Sequence, residues 1–137
     1  MEPLSVPSRE DAALWMRDVG IFRALEASEL LSTANPKRGL TSLLEVAEFL
    51  TPYDPEAGDP DMGVHFVDPA RLAQWTRDTI GDRDLADRID EIVASGNAYA
   101  FLVPQLQQAI LARVSQYWDL LRSGPGEQGR SLPTYTP

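Results

Sequence analysis

Cysteine is absent from this chain of 137 residues, which excludes a disulfide framework, a thiolate metal site and thiol catalysis together. Histidine is nearly absent. His65 stands alone, and one imidazole without cysteine or a second histidine does not make a zinc site. No run approaches the roughly 18 consecutive apolar residues that a membrane-spanning helix needs. The opening MEPLSVPSRE has neither the basic start nor the apolar stretch of a secretory signal. The expected compartment is therefore the cytoplasm. Also missing are a Walker-type phosphate loop, a G-x-G-x-x-G fingerprint, an H-E-x-x-H pair and a G-x-S-x-G elbow. Nucleotide-dependent, metallohydrolase and serine-hydrolase chemistries thus carry no sequence signal, and no cofactor is expected. There is no internal repeat of fixed period and no heptad run long enough for a coiled coil.

What is present is the composition of an ordinary globular protein, 43% hydrophobic and 24% charged, long enough to bury a core without metals or disulfides. The net charge is −9, and its distribution says more than its size. Between Asp54 and Glu91 eleven acidic residues face four arginines, a net of −7, which leaves −2 for the rest of the chain. Such a surface repels phosphates, so direct contact with nucleic acid is not expected. It suits solubility first, and basic partners second.

The longest helical pattern lies between Pro104 and Arg122. Val103, Leu106, Ile110, Val114, Tyr117 and Leu121 recur at steps of three and four, the spacing of one helix face. Leu111 and Trp118 widen that face, while Gln105, Gln108, Ser115, Asp119 and Arg122 fall opposite. Pro104 fits the first turn, where its missing N–H costs nothing. Residues 97–103 read equally as loop or as an earlier helical turn.

Upstream, residues 1–7 read as an extended arm, and Ser8 as the cap of a helix with Glu10 and Asp11 in its first turn. Apolar spacing then continues across Gly20, predicting either one helix over 9–32 or, preferably, two helices parted at Gly20. Lys37, Arg38 and Gly39 read as a turn before LTSLLEVAEFL, the most hydrophobic helix candidate, with Thr41, Glu45 and Glu48 on its narrow polar stripe. From Pro52 to Pro69 four prolines and two glycines, with four acidic residues from Asp54 to Asp61, predict a long irregular loop. Within it Val64, Phe66 and Val67 suit a short extended piece. Asp68 and Pro69 begin the next helix, Gly81 ends it, and a further helix runs from about Asp82 to Gly96. The Gly- and Pro-rich residues 123–137 read as a flexible tail. The expected fold class is all-α: a single bundle of five to six helices over residues 8–122.

Several constellations bear on function. The helix–turn–helix outline of LAQWTRDTIGDRDLADRIDEIV presents Asp84, Asp87, Asp90 and Glu91 where a DNA reader needs cations. These four carboxylates, with Trp118 and with Tyr135 in the tail, are instead candidate partner-binding residues. Asp54, Glu56, Asp59 and Asp61 supply oxygen ligands of the kind calcium takes, yet prolines interrupt them and no glutamate closes the site. His65, Glu45 and Glu48 are the candidates for acid–base work, since imidazole titrates near neutrality and paired carboxylates can divide acid and base roles. The structural alternatives are a packed histidine and the wet edge of a buried helix. Taken together, the absences favour a non-enzymatic interaction module that binds a protein partner or self-associates. An acidic inhibitor or decoy for a basic site is the alternative from the charge distribution, and a small His/carboxylate hydrolase the alternative from His65.

Overall fold

The computed structural model describes residues 3–30, 37–50 and 64–127. Its elements are α1 (Arg9–Trp15), a 3-10 turn (Ile21–Arg23), β1 (Leu25–Leu30), β2 (Lys37–Leu40), α2 (Leu43–Phe49), β3 (Val64–Phe66), α3 (Pro69–Trp75), a π-helical turn (Thr76–Ile80), α4 (Arg83–Val93) and α5 (Tyr99–Glu127). Helix predominates, but a three-stranded antiparallel sheet ordered β2-β1-β3 is present as well. The expectation of an all-α bundle holds in part: the chain is mostly helical, and the sheet is added to the helices.

The sheet occupies a stretch read from sequence as helix and turn. Leu25, Glu26 and Ala27 are good helix formers, so local propensity points the wrong way. The alternation decides instead: Leu25 and Ala27 are buried while Glu26 between them is exposed, a period of two. Leu25 pairs with Leu40 and Ser28 with Lys37 on one side of β1, and Ser28 with Phe66 on the other. Lys37, Arg38 and Gly39 are therefore strand, not turn. The short extended piece expected around Val64 is β3.

The helix starts follow the expected chemistry. Ser8, Ser42, Asp68 and Asp82 each accept a hydrogen bond from a backbone N–H of the first turn. α2 begins at Leu43, later than the sequence pattern suggested, because Leu40 belongs to β2 and Ser42 caps. α5 is longer than expected at both ends. Residues 99–103 are helical, which places Pro104 beyond the first turn. Residues 123–127 continue the helix through Gly124, Pro125 and Gly126 against their propensity, and no described contact accounts for this. Positions 128–137 and 51–63, with Tyr135 and the loop carboxylates, lie outside the described residues.

α5 packs against α1, α2 and α4, and α3 packs on α4. Leu106, Ile110 and Val114 of α5 are at most 1% exposed, and burying each such side chain contributes roughly 1.5–3 kcal/mol. Among the described residues no helix is long and apolar enough to cross a membrane.

Candidate functional site

The deepest polar feature of the core is one that sequence reasoning missed. Asp82 and Tyr117 are 0% exposed and Arg113 1%. Asp82 caps α4 by accepting from Leu85 N–H at 3.1 Å, and the same carboxylate accepts from Arg113 Nε at 2.7 Å and Arg113 Nη2 at 3.1 Å. The Tyr117 hydroxyl donates to Asp82 Oδ2 as well. Arg113 Nη1 then donates to the Ser5 carbonyl at 2.7 Å and to Gln116 Oε1 at 2.9 Å, and Gln116 Nε2 to the Leu4 carbonyl at 2.8 Å. One carboxylate and one guanidinium thus join α4, α5 and the N-terminal arm.

Burial, and then the charge and hydrogen bond of Asp82, push the Tyr117 phenol far above its ordinary range. For Arg113 burial alone favours the neutral form, but hydrogen bonding and attraction to Asp82 outweigh it and the guanidinium is held more firmly charged. The Arg113 guanidinium also lies 5.7 Å from the centroids of both Trp15 and Tyr117. With Asp82, Arg113 and Tyr117 closed off from solvent, the cluster holds segments in place and presents none of these three groups to solution. A signal for it exists in the sequence: Arg113 is three residues after Ile110 and four before Tyr117, inside the apolar stripe of α5.

The acid–base candidates are placed in structural contacts. His65 Nδ1 donates to the Phe49 carbonyl at 2.9 Å, and its ring stacks on Phe49 at 4.4 Å between centroids. Behind it the Tyr99 hydroxyl donates to the His65 carbonyl at 3.0 Å and accepts from Val67 N–H at 3.0 Å. Burial pushes the Tyr99 phenol up, and the Val67 N–H offsets part of that rise. Glu45 is engaged in capping α2: its N–H donates to Ser42 Oγ, while its Oε1 accepts from Thr41 N–H at 2.9 Å. Glu48, three residues on, is exposed. Neither glutamate hydrogen-bonds to His65 among the described contacts. No group of three His, Asp or Glu side chains among the described residues is placed to hold a metal ion.

On α4, Asp84, Asp87, Asp90 and Glu91 are all exposed, as expected of a polar face. Arg77 donates to Asp87 and Asp90 at 2.8 Å each, and these bonds, that to Asp90 foremost, raise the guanidinium's pKa. Arg88 Nε lies 3.3 Å from Glu91, and Arg113 Nη2 3.9 Å from Asp84. The surface pairs of Arg77 and Arg88 add little stability, but with buried Arg113 they neutralise part of the acidic face. Trp118 is 44% exposed on α5.

Two surface features stand out beyond those candidates. At the 3-10 turn Phe22 is 100% exposed and Ile21 69%, beside exposed Arg23 and next to Lys37 and Arg38 of β2. Ile21 and Ala24 line one shallow depression together with Glu26, Lys37, Arg38 and Gly39 of the hairpin. Elsewhere, between α4 and α5, lies an open groove of about 460 Å3 with apolar walls from Pro3, Ile92, Ala109 and Ala112. Comparison with family models, with curated proteins and with solved structures finds no match to this chain.

Proposed function

We propose that this protein is a non-enzymatic protein–protein interaction module, an accessory subunit or adaptor, that docks through the corner made by the 3-10 turn and the β1–β2 hairpin. One observation carries the reading: the fully exposed Phe22, with Ile21 at 69% exposure beside it. Aromatic anchors of this kind gain most when a partner's pocket desolvates them. Around the corner the cations Arg23, Lys37 and Arg38 outnumber the carboxylate Glu26, which faces Lys37, in a chain of net charge −9, so the preferred partner surface is acidic. The same charge disfavours nucleic acid, and the reading keeps the protein in the cytoplasm. An acidic decoy acting through α4 is less well supported, because Asp87, Asp90 and Glu91 already have arginine partners.

A photo-crosslinking amino acid at position 22, expressed in the native host, tests the proposal against the same reagent at Ser115 on the polar face of α5. Position 22 is expected to yield a discrete adduct that position 115 does not. Equal, diffuse labelling at both would remove the corner as a docking site.

A further inference from the structure

We infer that the corner takes its partner as an added strand, an extended acidic segment that pairs with the outer edge of β2; this rests on the corner being a docking surface. In an antiparallel sheet the N–H and C=O of one residue point to the same side of the strand, and those of the next residue to the other. At β3 the Tyr99 hydroxyl donates to the His65 carbonyl and accepts from Val67 N–H, at 3.0 Å each, so His65 turns its backbone away from β1. Val64 and Phe66 therefore face β1, and Leu30 and Ser28 face them. Leu25 and Ala27, of the other parity, face β2, where they meet Leu40 and Arg38. Lys37 and Gly39 are left with both backbone polar groups turned outward. Thr41 gives the same parity independently: its carbonyl accepts from Val19 N–H at 2.9 Å, outside the β1–β2 pair.

The two edges of the sheet are thus finished differently. Tyr99 closes the outer edge of β3. At β2, where Lys37 is exposed and Gly39 half-buried, no donor or acceptor among the described residues answers their outward groups. An edge left open is a template for another strand. The flanking side chains select which strand. Lys37 and Arg38 are exposed, and Glu26 at 4.0 Å is the carboxylate that faces Lys37. Two β2 edges laid together would set these cations against one another, so a second copy is repelled and an acidic segment is favoured. Gly39 has no side chain, and Ile21 Cδ1 lies 3.4 Å from where its Cβ would stand. A residue opposite Gly39 is therefore best apolar, packed on Ile21 in the depression of about 270 Å3 at this place. Run antiparallel, the matching segment reads apolar, acidic, acidic opposite Gly39, Arg38 and Lys37.

The test is amide hydrogen exchange of the full chain by NMR, free and with the end-capped synthetic peptide Thr-Val-Glu-Glu-Thr. In the free protein the Lys37 and Gly39 amides should exchange rapidly while those of Arg38 and Leu40 are protected, and the peptide should slow the first two. N-methylation of the peptide at Val and the second Glu, whose backbones face β2, should abolish that protection; N-methylation at the first Glu and the last Thr should leave it. A peptide with Lys in place of both Glu should bind roughly tenfold more weakly. The double variant Lys37→Glu with Arg38→Glu should reverse that preference, and because both positions are exposed its circular dichroism should match the parent. Lys37 and Gly39 amides already protected in the free protein overturn the inference, as does an open edge that the peptide leaves unprotected or protects equally in both N-methylated forms. If the edge fails while the crosslinker at position 22 still captures a discrete partner, the docking corner stands without the added strand; no adduct and no protection together remove both.

Discussion

Asp82 receives four donors: two from Arg113, one from Tyr117 and one from the Leu85 backbone. That density is what makes a buried carboxylate tolerable, since an isolated charge in the core pays a desolvation cost its surroundings must repay. Removing one partner leaves the other uncompensated. Arg113→Met should therefore destabilise the fold by about 3–5 kcal/mol, read as a shift of the urea midpoint at constant slope. The double variant Asp82→Asn with Arg113→Met should lose less than the two single losses combined, because the charges vanish together. Strict additivity would mean that the pair is not coupled.

Tyr117 makes the same cluster sensitive to alkali. Its folded pKa is raised above the unfolded value of about 10. Its contribution is thus fully present below that value and declines as pH rises through the interval above it, where the folded state binds the proton the unfolded state has lost. Denaturant unfolding between neutrality and about pH 11 is expected to show falling stability above about pH 10. In Tyr117→Phe that alkaline slope should be shallower, although the variant is less stable at neutrality for want of the hydroxyl. An unchanged slope would assign the alkaline loss to other groups, Tyr99 first among them.

At the scale of elements, the turn between α3 and α4 sets where Asp82 points. Gly81 N–H and Asp82 N–H both donate to the Thr76 carbonyl, at 2.9 and 3.1 Å, which closes the π-helical turn. Gly81 then takes φ +103°, and a Cβ there would stand 3.1 Å from Trp15 Nε1. Both conditions select glycine. Gly81→Ala should cost about 1–3 kcal/mol, seen as a lowered thermal midpoint, whereas alanine at solvent-exposed Ala112's neighbour Ser115 should be nearly neutral. Equal midpoints for the two variants would show that the turn relaxes freely. The strand β1 is the contrasting element: its conformation comes from partners on both sides rather than from its own residues.

For the whole molecule, the net charge of −9 opposes compaction. Salt screens that repulsion, so the thermal midpoint should rise with ionic strength. A midpoint that falls with salt would mean that exposed pairs such as Arg77 with Asp87 and Asp90 contribute more than the general repulsion costs.

Local chemistry by itself determined the helix caps at Ser8 and Asp68, the helix start near Asp82, the stop at Gly81, the buried stripe of α5 and the extended piece at β3, because each rests on neighbours within a turn or two of the chain. Glu45 was legible as polar but not as a capping partner, which depends on where α2 begins. Tertiary structure decided β1 and β2, whose hydrogen bonds lie between strands and override the helix propensity of Leu25–Ala27. It also decided which carboxylate answers Arg113. The stripe of α5 shows that this cation is buried, but Asp82 lies 31 residues away, and only the packing of α4 on α5 selects it among the chain's 21 acidic residues. Periodicity is a property of the local helix or strand; pairing across the core is a property of the assembled fold.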